Sequence, residues 1–276
     1  MEQLNSLPLT EALHTMESLS MLCVSDAEYE ALLNKREPNE AREGLDCPVC
    51  GNHEYTWVVR DGQRFCRECE CKKQRDSMAR IRKSGLSEQM QRCTFESYQT
   101  PHEWQKTAKA LVMQFVRDKN RGWLLLAGQP GCGKSHLCTA AAGKFLYAGA
   151  EVRYMRWAED SLLLKACANE ETEYTRRISP LKTCKVLYID DFWKTQQGQR
   201  PSPADVRLAF ELLDYRYCNR GLITILSTER SVFELFEIDT ATGSRIYEMT
   251  EGYRVDFAGT EKNWRLNRHK PSSERV

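Results

Sequence analysis

Gly128-Gln129-Pro130-Gly131-Cys132-Gly133-Lys134-Ser135 decides how this chain is read. An apolar run, Trp123-Leu124-Leu125-Leu126-Ala127, leads into it, and His136-Leu137-Cys138-Thr139-Ala140-Ala141-Ala142-Gly143 continues from it with helical composition. Strand, glycine-rich turn and helix, in that order, are the setting in which G-x-x-x-x-G-K-[ST] cradles phosphate. Its glycines let successive backbone N–H groups converge on the phosphates, and the helix N-terminus adds partial positive charge. Gly128 through Ser135, with His136, are therefore the nucleotide-binding candidates. In this pattern Lys134 reaches the β and γ phosphates, and the Ser135 hydroxyl ligates Mg²⁺ beside ATP.

A phosphate loop alone does not hydrolyse ATP. Lys185-Val186-Leu187-Tyr188-Ile189-Asp190-Asp191 is an apolar strand ending in two acids, the Walker B pattern. Asp190 is expected to hold Mg²⁺ through water, and Asp191 to orient or deprotonate the attacking water. The additional-strand ATPases (AAA+) need a strand between the two Walker strands, and Glu151-Val152-Arg153-Tyr154-Met155 supplies one. Leu222 to Ser227, with Thr228 and Glu229 at its tip, matches the strand that carries the first sensor in those enzymes. Thr242-Gly243-Ser244-Arg245-Ile246-Tyr247-Glu248-Met249 resembles the segment whose arginine reaches a neighbouring subunit's nucleotide. Alternating strands and helices from about residue 95 to 276 predict a mostly parallel α/β sheet with flanking helices, the AAA+ ATPase domain.

Upstream lies a cysteine cluster. Cys47-Pro48-Val49-Cys50 is answered by Cys66-Arg67-Glu68-Cys69-Glu70-Cys71 across a hairpin-like stretch, Tyr55 to Gly62. Two cysteine groups joined by a short β-rich span are the layout of a structural zinc site. Cys47 and Cys50 form one pair, and the second is Cys66/Cys69 or Cys69/Cys71. Four thiolates leave no open coordination position, so this Zn²⁺ holds structure. Lys72 to Lys83 follows as a basic helix with six cationic residues and one acid, suited to phosphates or to an acidic partner. Residues 47–85 make up this zinc module with its helix.

Residues 1–46 form a short helical, acidic segment, with helical patterning over 10–19 and 25–33 broken by Pro38 and Gly44. They carry three basic and ten acidic residues, a net of −7, whereas the remainder holds 37 basic and 29 acidic residues, a net of +8. An acidic head on a mildly basic body fits partner docking by the first and nucleic-acid contact by the second. The chain has 12 cysteines, but no basic-then-apolar leader and no apolar run near the length of a membrane span. A large chain with a nucleotide loop and no export signal uses cysteines for metal or as reduced core thiols, so a cytoplasmic, non-membrane protein is expected.

The chain resembles the DnaC-type helicase loaders, above all their phage and prophage branch, with the IstB-like transposition helper ATPases as cousins. The resemblance rests on Arg67 to Lys72, Lys83-Ser84-Gly85-Leu86, the phosphate loop, Tyr188 to Phe192, Ser227-Thr228-Glu229, Gly243 to Ile246 and Lys262-Asn263-Trp264-Arg265-Leu266. It implies Cys69 and Cys71 as the second metal pair, with Cys66 an extra thiol. It also sets Arg265 where related chains carry an arginine near the end, which implies either a nucleotide contact or a packing role for it. The sensor asparagine frequent in the family is replaced by Glu229 here, which leaves Ser227 or Thr228 to substitute. The implied activity is ATP-dependent loading of a replicative hexameric DNA helicase onto single-stranded DNA in replication initiation, with self-association in the ATP state. Localisation would be the cytoplasm of a bacterium, or of the host for a phage protein. Two rivals remain within reach of the same motifs: an ATPase helper of transposition, and an ATP-bound DNA adaptor that does not hydrolyse. A small-molecule kinase fits poorly, because such enzymes place the loop first and the zinc afterwards.

Overall fold

The computed structural model describes residues 25–40, 46–83, 87–118, 122–196, 199–257 and 263. The helical patterning over 10–19 and the Arg265 assignment lie outside them. The chain divides into two compact units, one ending at Arg75 and one starting at Asp76.

In the first unit, α1 (Asp26–Asn34) lies against β1 (Tyr55–Arg60), which pairs antiparallel with β2 (Gln63–Glu68). Ser25 caps α1 in a reciprocal box with Glu28, which stops the helix from fraying. Residues i, i+4 and i+8 of α1 then serve the hairpin. Asp26 accepts from the Asp61 and Gly62 N–H groups, Glu30 accepts from Val59 N–H, and Asn34 exchanges two hydrogen bonds with Trp57. The match is geometric: four helical residues rise about 6 Å and two strand residues about 6.7 Å. Tyr29 and Leu33 cover Val59 on the same side. The helix expected at 25–33 is thus an integral part of the cysteine module, and a boundary at residue 46 separates pieces that pack together.

The second unit holds α3 (Ser87–Arg92), α4 (Glu103–Arg117), β3 (Trp123–Gly128), α5 (Lys134–Tyr147), β4 (Val152–Arg156), α6 (Trp157–Ala166) and α7 (Glu171–Thr183). It continues through β5 (Val186–Asp190), α8 (Pro203–Cys218), β6 (Ile223–Thr228), α9 (Val232–Ile238), α10 (Thr240–Met249) and β7 (Arg254–Phe257). The unit boundary falls within α2 (Glu70–Lys83). The strands form one parallel sheet in the order β4-β5-β6-β3-β7. Every residue of β3 and β6 is buried, which is why neither alternates: β3 reads as an unbroken apolar run, and β6 buries Thr224, Ser227 and Thr228 along with its apolar residues. The strand lying between the two Walker strands in space is β6; β4, which separates them in sequence, sits at the sheet edge beside β5.

Two apolar layers sandwich the sheet. One gathers Leu124, Leu126, Tyr188 and Ile225 with Leu137, Ala141 and Phe145 of α5; the other gathers Leu125, Leu187 and Leu226 with Leu212 of α8 and Trp157 of α6. Arg216, fully buried, donates to the carbonyls of Leu181, Lys182, Cys184 and Ile223 and to the Thr224 hydroxyl. It fixes the entry to β5 against the start of β6, on which the site at the far ends of those strands depends.

Candidate nucleotide site and cysteine centre

The phosphate loop bridges β3 and α5 at the carboxyl edge of the sheet. Gly128 and Gly133 have φ of +115° and +91°, so both need glycine's freedom. A Cβ at Gly128 would lie 2.7 Å from the Phe257 carbonyl oxygen, and one at Gly133 would lie 2.8 Å from the Tyr98 ring. Lys134 is buried, its Nζ donating to the Gly128 and Gln129 carbonyls at 2.7 Å each. Cys132 is buried too, with Sγ on the Gln129 carbonyl at 3.0 Å. Pro130 and Gly131 line the cleft above the loop.

Asp190, at the end of β5, is the point of convergence. Its Oδ1 accepts from Ser135 Oγ at 3.0 Å and from the Ser227 hydroxyl, and its Oδ2 accepts from Tyr154 OH at 3.1 Å. Burial, then the neighbouring Asp190 charge, pushes the Tyr154 phenol up, so Tyr154 stays a donor. A serine hydroxyl hydrogen-bonded to a carboxylate at the mouth of a phosphate loop is a hard-oxygen pair of the kind Mg²⁺ prefers. The residues present therefore fit that ion.

Asp191 takes a left-handed backbone, φ +54°, as does Trp193 at +56°. Its N–H donates to Ser227 Oγ at 3.0 Å, Phe192 N–H donates to the Ser227 carbonyl, and Thr228 Oγ1 donates to the Phe192 carbonyl at 2.8 Å. The turn after β5 is thereby tied to the tip of β6, which holds a backbone shape costing about 1–3 kcal/mol per residue in isolation. The same turn brings Lys194 back over the acids: its Nζ lies 2.8 Å from Asp191 Oδ2 and 3.0 Å from Glu229 Oε1. Burial alone would lower the Lys194 ammonium, but the two carboxylates outweigh it and hold it above its ordinary value.

Lys134, Ser135, His136, Asp190, Asp191, Lys194 and Glu229 share one cleft of about 480 Å³. His136 points its Nε2 toward the Thr94 carbonyl and Ser97 hydroxyl, at 2.8 and 3.2 Å, which ties the start of α5 to the segment before α4. Thr228 is not brought into the cleft; it is fully buried and spent on the turn. Arg245 lies on α10 with its guanidinium 2.8 Å from Asp214 of α8, over the Phe210 and Tyr217 rings. Tyr154 and Lys194 were not singled out from sequence, although Lys194 stands only three residues beyond Asp191.

In the first unit, the Sγ atoms of Cys47, Cys50, Cys69 and Cys71 all lie within 4.8 Å of one another, and all four residues are buried. The separation of 3.8 Å for Cys47–Cys69 matches, and that of 3.4 Å for Cys50–Cys71 falls slightly under, the edge of about 3.8 Å that a tetrahedron with Zn–S of about 2.3 Å requires. Cys66 stands exposed on β2, outside the group. The donor set fits a structural Zn²⁺. Arg75, counted with the basic helix, is turned inward: it is buried, donates to Asn52 Oδ1 at 2.6 Å and pairs with Glu54. Asn52 Oδ1 also accepts from Cys47 N–H at 2.9 Å, so Arg75 braces the first cysteine loop. Lys72 pairs with Glu68 and Lys73 with Glu70. The side chains of Arg80, Arg82 and Lys83 lie outside the described residues.

A phosphate loop after β3, two acids at the end of β5 and β6 inserted between those two strands define an additional-strand phosphate-loop ATPase fold. The profile of the IstB-like ATP-binding proteins matches residues 53–237, and the chain belongs to that family. The phage-like element PBSX protein XkdC of Bacillus subtilis is 30% identical over 234 residues, covering 80% of this chain and 86% of the relative. The replicative helicase loader DnaC of Escherichia coli K12 is 30% identical over 112 residues, 40% of this chain and 46% of the loader. A crystal structure of the DnaC helicase loader superposes with a TM-score of 0.52 at 22% identity, over 58% of this chain and 94% of that one. AMPPCP-bound DnaA from Aquifex aeolicus reaches 0.50 at 18% identity, over 62% and 52%. These two likenesses establish a shared fold. Among the described residues no helix is long and apolar enough to cross a membrane.

Proposed function

We propose that this chain is an ATP-hydrolysing loader that places a replicative hexameric DNA helicase on single-stranded DNA. The observation that carries the ATPase half is the convergence of Ser135, Ser227 and Tyr154 on Asp190 beside Lys134. Lys134 would bind the β and γ phosphates. Ser135 and Asp190 would hold Mg²⁺, which supplies charge neutralisation on the phosphates when bound. Asp191 would take a proton from the attacking water as its oxygen bonds to the γ phosphorus and the bond to the β–γ bridging oxygen breaks, releasing ADP and phosphate. Arg245 would leave Asp214 and reach the nucleotide of a neighbouring copy, so that turnover depends on assembly.

The loading half rests on the DnaC relatives and on the four-cysteine unit, which we assign to Zn²⁺ as a structural ion. Asp26 and Glu30 are committed to the hairpin, so docking on the helicase falls to other parts of the acidic head. The match to the IstB-like profile keeps the transposition helper as the second reading. Steady-state ATP hydrolysis by the full chain, alone and with single-stranded DNA and helicase, separates the two. Stimulation by helicase and DNA together supports the loader; stimulation by a transposase and duplex DNA, with none by helicase, supports the helper. Bound ATP without hydrolysis under any of these conditions identifies the adaptor.

A further inference from the structure

An acid at the tip of β6 is electrostatically wrong for a group that must face a γ phosphate. Glu229 lines the nucleotide cleft and stands where a neutral polar residue would serve better. The structure supplies the compensation. Lys194 bridges Glu229 and Asp191, at 3.0 and 2.8 Å, and lines the same cleft as Lys134 and Ser135. It is no loose surface lysine. Two left-handed residues, Asp191 and Trp193, shape the turn that carries it, and Ser227 and Thr228 pin that turn to β6. Of the two carboxylates it holds, Asp191 is the one placed to take the proton from water.

We infer that Lys194 is the γ-phosphate-sensing cation of this site, with Glu229 as its tether and Asp191 as its alternative partner. The inference rests on the ATPase reading and adds the residue that distinguishes ATP from ADP. A γ phosphate carries more negative charge than Asp191 and competes for Lys194. When it wins, Asp191 is released from its ion pair and becomes free to engage water. With ADP, Lys194 stays on Asp191 and the acid is masked. Glu229 keeps the ammonium within reach in both cases.

The test is the ratio of affinities of the full chain for Mg·ATP and Mg·ADP, measured by displacement of a fluorescent nucleotide, together with kcat and KM. A charge-assisted contact made only with the γ phosphate contributes about 10- to 100-fold. Lys194→Met is therefore expected to cut the ATP-over-ADP preference by that factor and to lower kcat, with ADP affinity unchanged. Lys194→Arg should restore part of the preference. Glu229→Gln should keep or raise it, because the amide oxygen still accepts from Lys194 and so preserves the tether while a negative charge beside the γ phosphate is removed. Lys194 is well exposed at 39%, so the variants should melt as the parent does. A preference unchanged within twofold in Lys194→Met, or abolished in Glu229→Gln, overturns the inference. Equal affinity of the parent chain for ATP and ADP also overturns it while leaving the nucleotide site standing. Absence of any nucleotide binding, with parent and Lys134→Ala indistinguishable, overturns the ATPase reading itself.

Discussion

Stripping metal from the cysteine centre should unfold the first unit and leave the second intact. The described part of the first unit buries few apolar side chains: Tyr29, Leu33 and Val59, with Trp57 partly covered. At about 1.5–3 kcal/mol for each fully buried side chain, those three contribute about 5–9 kcal/mol. A structural Zn²⁺ contributes about 10–16 kcal/mol in small zinc modules. The metal term is the larger of the two, so the order of the unit depends on it. The second unit stands on two clusters of 22 and 20 buried residues and has no such dependence. Hydrogen exchange read by mass spectrometry, with and without a chelator, follows both at once. Amides of β1, β2 and α1 should lose protection in the metal-free chain, while β3, β5 and β6 keep theirs. Cys47→Ser and Cys71→Ser should act as the chelator does, and Cys66→Ser should retain one zinc per chain. Undiminished protection of β1 and β2 without metal would refute the reasoning.

Lys134→Ala should abolish ATP binding, whereas Asp191→Asn should bind ATP and fail to turn it over; equal loss of affinity in both contradicts this division of labour. Arg245→Ala should leave affinity intact and slow the assembled state by about 10³–10⁵-fold, as loss of an arginine finger does. Full-rate hydrolysis by the isolated chain, matched by the variant, would make Arg245 a structural partner of Asp214. Deleting residues 1–24, which spares the contacts of α1 with the hairpin, should weaken helicase capture in a pull-down and preserve salt-sensitive binding of single-stranded DNA. Arg75→Glu should instead disorder the cysteine module, seen as loss of zinc rather than a selective loss of DNA affinity.

The central sheet was legible because β3, β5 and β6 are buried on both faces and so do not alternate: Trp123 to Ala127 and Val186 to Ile189 are continuous apolar runs, and β6 is apolar at Ile223, Ile225 and Leu226. The loop and the paired acids were legible because phosphate chemistry fixes their spacing. β7 was not: Arg254-Val255-Asp256-Phe257 is four residues long with charge at alternate positions, and it becomes a strand only by adding to the edge of β3. Partnerships across space were hidden for the same reason. Nothing local tells that Arg75 turns inward on Asn52, that Tyr154 reaches Asp190, or that Thr228 is consumed by the turn it was expected to leave free. The acidic segment 1–46 read as a docking surface, yet Asp26 and Glu30 within it accept the hairpin's own N–H groups, a pairing that only the folded geometry reveals.

The most direct measurement is deposition of the hexameric helicase on a circular single strand, scored by unwinding of an annealed oligonucleotide. The account predicts that the full chain with ATP accelerates deposition on a closed circle, and that Lys134→Ala does not. Deposition at the same rate with the parent chain, with Lys134→Ala and with no added protein would contradict it.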